Sequence, residues 1–255
     1  MPGETVTDRV VADLAGRDAL PFLQGLVTND VLPLAKGPGM VWTALLTAQG
    51  KYLADFFVVN TGARLLLDLP ASIADATLRR LSMYRLRAEV TIAPMVLGVS
   101  RGLGEGPPGS LADPRHPALG WRGYGIAGAG AAMIDWTAIR VENLIPETGA
   151  ELVPDESYIL EMGFERLHGV DFRKGCYVGQ EVTARMKHKT ELRKGLIRVR
   201  VDGHAPVGTM VLSGGKEAGT LYSQSHGLGI AWLRYDRAGA DMTAGDARLR
   251  LTEGS

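Results

Sequence analysis

The sequence predicts an α+β fold in which antiparallel strands are mixed with a few helices and followed by an all-β module. Three observations predict it. Residues 5–93 contain several strand-like runs separated by short turn signals, and two amphipathic segments lie between those runs. Residues 195–255 contain only short β-rich runs. Strands and helices that do not alternate strictly along the chain are typical of α+β domains.

The N-terminal elements are assigned from residue type and spacing. Residues 5–15 are rich in β-branched side chains with partial alternation, which indicates a strand. Asp18 is a candidate N-cap for the helix that follows. The apolar residues expected on one face of that helix are Leu20, Leu23, Leu26 and Val27.

Three strand-like runs come next, and two hairpin turns separate them. The runs are residues 40–47, 52–60 and 64–69. The turn signals are Q-G-K at residues 49–51 and N-T-G at residues 60–62. A helix is then predicted over residues 72–87 and a strand over residues 88–93. The inward-facing candidates on that helix are Ile73, Ala76, Leu81 and Tyr84.

The remaining chain is predicted to contain a linker region and a β-rich module. A strand over residues 95–99 precedes a stretch rich in Gly and Pro, residues 101–130, which indicates loops or a linker over a short second module. A helix is expected near residues 134–143. From about Gly195 onward, short strands separated by Gly-containing turns predict a small β-barrel or sandwich.

Composition restricts the function classes. Lys plus Arg and Asp plus Glu are both 28, so no global charge indicates nucleic acid or membrane as a partner. One cysteine excludes an intrachain disulfide framework. The N-terminal residues have no apolar core of a signal peptide, and no run reaches membrane-spanning length. These features predict a soluble intracellular protein for which a reducing cytosol or an organelle matrix fits best, and the expected location is the cytoplasm.

Two familiar motif classes are rejected. The G-x-G-x-x-G at residues 123–128 follows a stretch with two prolines, so the buried strand required for dinucleotide binding cannot precede it. The five histidines are never spaced as metal ligands or placed beside a second cysteine. No complete protein-only metal site is therefore expected, and a cluster held transiently or shared between chains stays open.

Cys176 is the strongest single candidate for chemistry. A turn at Gly175 is predicted to lead into a helix with Val178, Val182 and Met186 on one face, with Cys176 in its first turn. There the helix dipole and nearby cations would stabilise a thiolate. The alternative is a buried small apolar residue, the commoner use of a lone cysteine.

A basic stretch and two acids complete the candidates found from the residues alone. Residues 173–194 carry seven cations and two acids, which could hold a polyglutamate tail, a phosphate or RNA, although a solvated helix face is common. Asp55 and Glu161 lie within apolar segments. A carboxylate can accept two N–H bonds from an amino-pyrimidine edge such as that of a pterin. The alternatives are solvent-facing acids on a strand or a helix.

Residues 174–181, K-G-C-Y-V-G-Q-E, resemble the K-G-C-Y-x-G-Q-E signature of the YgfZ-type folate-binding iron–sulfur assembly factors. The mitochondrial relatives of that family act late in [4Fe–4S] cluster maturation. Further blocks resemble the family in the expected order over nearly the whole chain, with residues 101–132 matching least. They are F-L-Q-G-L-V-T-N-D, L-T-A-Q-G-K-Y-L-A-D-F, Y-R-L-R-A-E-V, G-V-D-F, A-R-M-K-H-K-T-E-L-R-K, G-T-L-Y-S and G-L-G-I-A-W-L-R-Y.

The resemblance implies the fold of the glycine-cleavage aminomethyltransferases, a three-module cloverleaf around a folate channel. It implies an α+β folate-binding core of residues 1–94 with 133–194, a short second module and linker at 95–132, and a C-terminal β-barrel at 195–255. The implied catalytic residues are Cys176 and Lys174. The implied tetrahydrofolate-binding residues are Trp136, Glu161, Asp55, Tyr177, Arg185 and Lys187.

Two departures favour an assembly factor over an aminomethyltransferase. The aminomethyltransferases carry D-D where this chain has Ala54 and Asp55, and they lack the cysteine block. Arg9 occupies the position where a family member has a tryptophan, so that stacking residue is absent from this chain. The resemblance thus implies a tetrahydrofolate-binding accessory factor for assembly or repair of [4Fe–4S] clusters. Its expected partners are folate and iron–sulfur assembly proteins or client enzymes, with no direct nucleic acid and no membrane.

Two rival functions remain at this point. One is a folate-dependent aminomethyl- or methyltransferase, in which case the activity would be one-carbon transfer. The other is an RNA-interaction protein acting in tRNA modification.

Overall fold

Two antiparallel sheets and a closed β-barrel account for most of the regular structure. A computed structural model describes residues 3–126, 130–131, 133–189 and 191–252. The chain divides into two compact units, each containing two stretches of sequence. The first unit is Met1–Ile134 with Glu165–Gln180, and the second is Asp135–Phe164 with Glu181–Ser255.

The described part of the first unit is mainly β-structure. Its strands are β1 (Glu4–Val6), β2 (Arg9–Ala15), β3 (Gly39–Leu46), β4 (Tyr52–Asn60), β5 (Leu65–Pro70), β6 (Thr91–Met95), β7 (Val99–Gly102), β8 (Leu111–Ala112) and β9 (Trp121–Tyr124). Its helices are α1 (Ala19–Gln24) and α2 (Ala71–Tyr84), with short 3-10 helices at Leu32–Lys36 and Pro117–Leu119.

The larger sheet has the order β3-β4-β5-β2-β6, and every neighbouring pair is antiparallel. Strand β4 is buried along almost its whole length, which explains its continuous apolar run. Phe56 and Val58 face one core cluster, which also includes Leu23 of α1 and Leu81 of α2. The intervening Phe57 lies opposite Asp68 in the register with β5, on the other face of the sheet.

The second sheet of this unit has the order β1-β7-β9-β8. This sheet shows that two of the strand predictions were wrong. The single strand predicted over residues 5–15 is two strands, β1 and β2, which belong to different sheets. The strand predicted over residues 95–99 is the end of β6 and the start of β7, and the predicted loop region contains β7, β8 and β9.

The predicted helices exist with different limits. α1 ends at Gln24, before Leu26 and Val27, and Asp18 makes no side-chain capping bond at its N-terminus. α2 ends at Tyr84. Ala76 and Tyr84 are exposed and not inward-facing, because Ala74, Thr77 and Leu81 form the buried stripe. The predicted strand over residues 88–93 begins only at Thr91.

A buried ion network joins the two sheets of the first unit. The Asp68 carboxylate is fully buried and accepts from the guanidinium groups of Arg9 at 2.6 Å and Arg122 at 3.1 Å. The Tyr124 hydroxyl donates to it at 2.8 Å. Arg122 also pairs with Asp113 at 3.2 Å. Each charge is thereby paired, which is the condition for burying it.

The second unit consists of two helices and a closed barrel. The helices are α3 (Trp136–Glu142) and α4 (Gln180–Lys189), the latter beginning at the last residue of the first unit. The strands are β10 (Lys194–Asp202), β11 (Thr209–Ser213), β12 (Lys216–Ser225), β13 (Leu228–Arg234), β14 (Met242–Ala244) and β15 (Ala247–Leu251). They close in the order β10-β13-β12-β11-β14-β15, which confirms the predicted C-terminal barrel.

Alternation along the barrel strands explains its core. Val199, Val201, Val211, Leu233 and Leu249 are buried inside, and the residues between them are mostly partly or fully exposed. Within the described residues, no helix has the length and apolar character needed to span a membrane. The three-module division at residues 94, 132 and 194 stays a prediction, and the two compact units divide the chain after Ile134, Phe164 and Gln180.

Asp68→Asn should lower the free energy of unfolding by about 3–5 kcal/mol, because it leaves two buried guanidinium groups without their shared counter-charge. Urea denaturation measures this, with the exposed Asp75→Asn as the control. Burial would raise the pKa of Asp68, but Arg9 and Arg122 outweigh burial and lower it. Against the same burial, Arg115 and Arg122 lower the pKa of Asp113 to about 2.

Both folded-state pKa values are thus depressed. The stability that these carboxylates contribute is therefore present in full above about pH 4 and is lost as the pH falls through their lowered pKa values, of which that of Asp113 is about 2. Equal destabilisation by Asp68→Asn and Asp75→Asn, or an acid transition unchanged by Asp68→Asn, would contradict the assignment.

Candidate functional site

The loop that carries Cys176 is fixed by its neighbours in the first unit. The Lys174 side chain is buried, and its ammonium donates to the backbone carbonyls of Gln24, at 2.7 Å, and Val27. Both carbonyls lie at or just beyond the C-terminal end of α1, where helix carbonyls lack intrahelical partners. Lys174 therefore ties the loop to α1.

The electrostatic setting of Lys174 follows from this position. Burial lowers its pKa from 10.5 to about 8, and the Asp30 and Asp171 carboxylates oppose the shift. The Nζ atom also lies 5.1 Å from the centre of the Tyr177 ring. Lys174 was expected to support a thiolate, and the structure directs its ammonium to carbonyl oxygens.

Cys176 is exposed, whereas Lys174 and Tyr177 on either side of it are buried. The loop thus presents the thiol to solvent between two anchored residues. The predicted position in the first turn of a helix is wrong, because α4 begins only at Gln180. The argument from the helix dipole therefore has no basis at Cys176.

Gly179 explains why the helix begins late. Its φ is +84°, in the left-handed region, and a Cβ there would lie 2.5 Å from the backbone oxygen of Thr47. Only glycine fits this close approach of the loop to the β3–β4 hairpin. The sequence contains two glycines in the motif, and the structure makes the turn at Gly179, not at Gly175.

Two polar residues that sequence reasoning did not single out bind the segment preceding this loop. The Thr28 hydroxyl donates to the Gly169 carbonyl at 2.7 Å. The Asn29 amide donates to the carbonyls of Trp42 at 2.9 Å and His168 at 2.6 Å. The sequence contains a signal for these two residues, because T-N-D at residues 28–30 is a polar triplet directly after an apolar segment.

A cleft of about 530 Å³ lies beside these contacts, within the first unit. Its volume is in the range of small-molecule sites. Apolar and aromatic side chains contribute most of its lining, together with polar groups. The lining residues are Asn29, Met40, Val41, Trp42, Pro114, Glu165, His168, Val170, Asp171, Phe172 and Arg173.

Asp55 is buried behind the wall of this cleft. Its two carboxylate oxygens accept from the Trp42 indole and the Tyr52 hydroxyl, both at 2.8 Å. Because Trp42 itself lines the cleft, Asp55 fixes the orientation of a cleft residue. The alternative of a solvent-facing strand acid is wrong for Asp55, which is 6% exposed.

Glu161 has a similar environment in the second unit. It is buried, the Trp232 indole donates to one carboxylate oxygen at 2.9 Å, and the Lys194 ammonium lies 3.8 Å from the other. The Lys194 ammonium also lies 4.7 Å from the centre of the Trp232 ring. The alternative of a helix-surface acid is wrong, since residue 161 is in a turn and is buried.

Three further predicted folate-contacting residues, Trp136, Arg185 and Lys187, also belong to the second unit. Trp136 is the first residue of α3 and is buried, and the preceding Asp135 caps the helix by accepting from the Ala138 amide at 2.8 Å. Arg185 and Lys187 are exposed on α4. Arg185 pairs with Glu181 one turn earlier, at 3.0 Å.

The predicted site residues thus divide equally between the units. Cys176, Lys174, Tyr177 and Asp55 are in the first unit, and Trp136, Glu161, Arg185 and Lys187 are in the second. Lys174, Cys176 and Tyr177 share one loop. The assignment of Cys176 and Lys174 as catalytic and of the other six residues as folate-binding stays a prediction.

The two rejected motif classes can be compared with the structure. Gly123 lies in strand β9 and Gly125 follows it, and Gly128 lies outside the described residues. Among the side chains in the described ranges, no three His, Cys, Asp or Glu residues are grouped as metal ligands.

Comparison with known proteins identifies the family. Residues 193–254 match the family model of the CAF17 C-terminal β-barrel domain. The mouse protein "Iron-sulfur cluster assembly factor IBA57, mitochondrial" is 31% identical in an alignment that covers 89% of this chain and 75% of the mouse protein. The chain belongs to the IBA57 family.

Two further IBA57 relatives agree with this. The human protein is 28% identical over 97% of this chain and 80% of its own length. The homologue from Mycosarcoma maydis is 32% identical over 75% of this chain, and the match spans only 55% of the fungal protein. The crystal structure of aminomethyltransferase T from Bartonella henselae matches with a TM-score of 0.75 at 14% identity. That match covers 99% of this chain and 85% of the transferase chain.

The structural match confirms the predicted aminomethyltransferase-like fold. The IBA57 matches confirm the predicted relationship to iron–sulfur cluster assembly factors. They confirm it for this broader family and not for the YgfZ-type family. They correct the expected location, since the mouse, human and fungal relatives are named as mitochondrial proteins, which contradicts a cytoplasmic assignment.

Lys174→Met should lower the free energy of unfolding by about 1–3 kcal/mol, because two buried carbonyls lose their donor while the apolar stem is retained. Urea denaturation at pH 7 measures it, with the exposed Lys36→Met as the control.

The same variant tests the depressed pKa of Lys174. The folded pKa is about 8, below the unfolded value of 10.5, so the cost of burying the ammonium is present in full below pH 8. It is relieved as the pH rises toward 10.5. The parent should therefore gain stability relative to Lys174→Met between pH 8 and pH 10. A constant difference would show that the ammonium is not desolvated.

Proposed function

We propose that the protein is a tetrahydrofolate-binding accessory factor in the assembly or repair of [4Fe–4S] clusters, with Cys176 as its reactive thiol. The observation that carries the proposal is membership of the IBA57 family, whose mouse and human members are named iron–sulfur cluster assembly factors. The motif K-G-C-Y-V-G-Q-E supports the finer assignment to the YgfZ-type branch.

The geometry of the cysteine loop supports a chemical role for Cys176. An exposed thiol held between two buried anchors can meet a partner or its cluster without rearrangement of the loop. A cysteine kept only for packing would be buried. In this proposal the cluster is cargo, and the partners are iron–sulfur assembly proteins or client enzymes.

Folate binding is supported by the fold and by the chemistry of the candidate residues. The cleft of the first unit has aromatic and apolar walls with a few polar groups, which suits a flat heterocycle with hydrogen-bonding edges. Tetrahydrofolate would supply a reduced pterin that carries one-carbon units. Of the residues predicted to bind the pterin, Asp55 and Tyr177 belong to this unit, and Asp55 orients Trp42 in the wall of the cleft. Trp136 and Glu161 belong to the second unit, and their assignment to the pterin rests on the resemblance.

The two acids place a condition on that assignment. Asp55 and Glu161 each already accept an indole N–H from their own unit. A pterin that bonds either carboxylate would have to share or replace one of these bonds. Arg185 and Lys187 would attract the glutamate tail as exposed cations, with Arg185 partly neutralised by Glu181.

Calorimetric titration with 5-formyltetrahydrofolate, carrying one or three glutamates, tests the cofactor. We expect saturable binding that is tighter for the triglutamate form. Lys187→Gln should weaken the triglutamate form about two- to fivefold and the monoglutamate form less, since an exposed ion pair contributes up to about 1 kcal/mol. Lys216→Gln, which removes an exposed cation from the barrel, is the matched control. No saturable binding of either form would exclude folate.

Cys176→Ala tests the thiol in cells that lack the native copy. The activities of [4Fe–4S] enzymes should fall to the level of cells without the protein, because no other cysteine in the chain can replace the thiol. Val178→Ala, at the variable position of the motif, is the control and should retain function. Equal abundance of both variants must be shown by immunoblotting. Unchanged enzyme activities in Cys176→Ala cells would remove the thiol from the mechanism.

The same variant separates the rival transferase. A folate-dependent aminomethyltransferase would transfer its one-carbon group in purified form, and that activity would survive Cys176→Ala.

A further inference from the structure

Three arginines lie together on the outer face of the C-terminal barrel. Arg200, Arg248 and Arg250 are exposed and surround a depression of about 250 Å³, with Asp202, Val201 and Gly227 completing its lining. None of the three makes an ion pair or a side-chain hydrogen bond with any residue in the described ranges. We call these three residues the arginine cluster.

The strand register brings these side chains together. Arg200 on β10 lies directly opposite Arg250 on β15, and Asp202 lies opposite Arg248. The alternating neighbours Val199, Val201 and Leu249 are buried in the barrel, so the arginines project outward. Directly opposite residues have Cβ atoms about 4.5–5.5 Å apart, and diagonal neighbours about 7–8 Å.

Such an arrangement costs stability in the free protein. Like charges directly opposite on neighbouring strands destabilise a sheet. The carboxylate of Asp202 is not within ion-pair distance of Arg248, because the described ion pairs, which extend to 4.0 Å, include neither residue. Three cations and one acid leave a local excess of two positive charges around one small depression.

We propose that the arginine cluster binds a phosphate chain, either free pyrophosphate or the diphosphate of a nucleotide. Guanidinium groups bind phosphate oxygens through two parallel N–H donors, and three of them can contact several oxygens of one diphosphate. The depression is smaller than sites that enclose a drug-sized ligand, so it fits the phosphate chain and leaves a nucleoside outside it.

Asp202 allows a second test, in which the expected change in affinity has the opposite sign. Its carboxylate lines the depression and repels an anion, so its removal should tighten binding. The site is independent of the folate proposal, since its residues include none of those assigned to folate or to the thiol.

The test is calorimetric titration of the full chain with pyrophosphate, ADP and a short single-stranded RNA at low ionic strength, where exposed charges are least screened. Arg250→Gln should weaken pyrophosphate binding about tenfold or more, as expected for lost hydrogen bonds to a charged group. Asp202→Asn should tighten it about two- to fivefold. Lys216→Gln removes the same charge from β12, which is not a neighbour of β10 or β15 in the barrel, and should leave binding unchanged.

Thermal unfolding controls for misfolding. Without ligand, Arg250→Gln should unfold at the same temperature as the parent or higher, because it removes like-charge repulsion. At the same concentration, pyrophosphate should raise the transition temperature of the parent more than that of the variant.

The source of the phosphate follows from the ligand comparison. Equal affinities for pyrophosphate and ADP would assign the site to the phosphate chain alone, and tighter binding of ADP would assign it to nucleotides. The proposal is overturned if no saturable pyrophosphate binding occurs, or if Lys216→Gln weakens it as much as Arg250→Gln. It is also overturned if only RNA binds and pyrophosphate does not compete.

Discussion

The position of the cysteine loop depends on one buried cation. Lys174 places an ammonium group against the end of α1, where the Gln24 and Val27 carbonyls would otherwise lack donors. Burying a charge without an ion partner is costly, and the pKa of about 8 records that cost. The Asp30 and Asp171 carboxylates offset part of it, and the two carbonyl oxygens accept hydrogen bonds from the ammonium. The motif lysine therefore fixes the position of Cys176, and this positional role is separate from any effect on the chemistry of the thiol.

Predictions from the sequence succeeded where the signals were local. The strands β3, β4 and β5 were found because Gly50 and Gly62 mark their turns, and both have positive φ in the structure. The barrel was found for the same reason. The split between β1 and β2 was missed, because nothing within residues 5–15 indicates that the two halves pair with different partners, β7 and β5.

The site was less accessible to sequence reasoning because its contacts are long-range. Asp55 and Glu161 were chosen as acids in apolar surroundings, which the structure shows for both. The partner of Glu161 could not be predicted, since Trp232 is 71 residues from it in the chain. Each acid holds an indole N–H, and a cation lies near each indole ring: Arg115 at 5.7 Å from Trp42, and Lys194 at 4.7 Å from Trp232. This repeated arrangement makes both acids fixed structural groups as well as candidate ligands.

The same sheet explains why position 54, where the resemblance to the aminomethyltransferases implies an acid, holds an alanine. Ala54 lies opposite Leu45 and on the same face of β4 as Phe56 and Val58, which belong to the core cluster covered by α1 and α2. Asp55 projects to the other face, where Trp42 and Tyr52 supply donors. A second carboxylate at position 54 would enter an apolar core without a counter-charge, which costs several kcal/mol or forces protonation. The alanine is thus compatible with this packing and an aspartate is not. The match to the aminomethyltransferase at 14% identity therefore shows the shared fold alone, and the packing around Ala54 belongs to this chain.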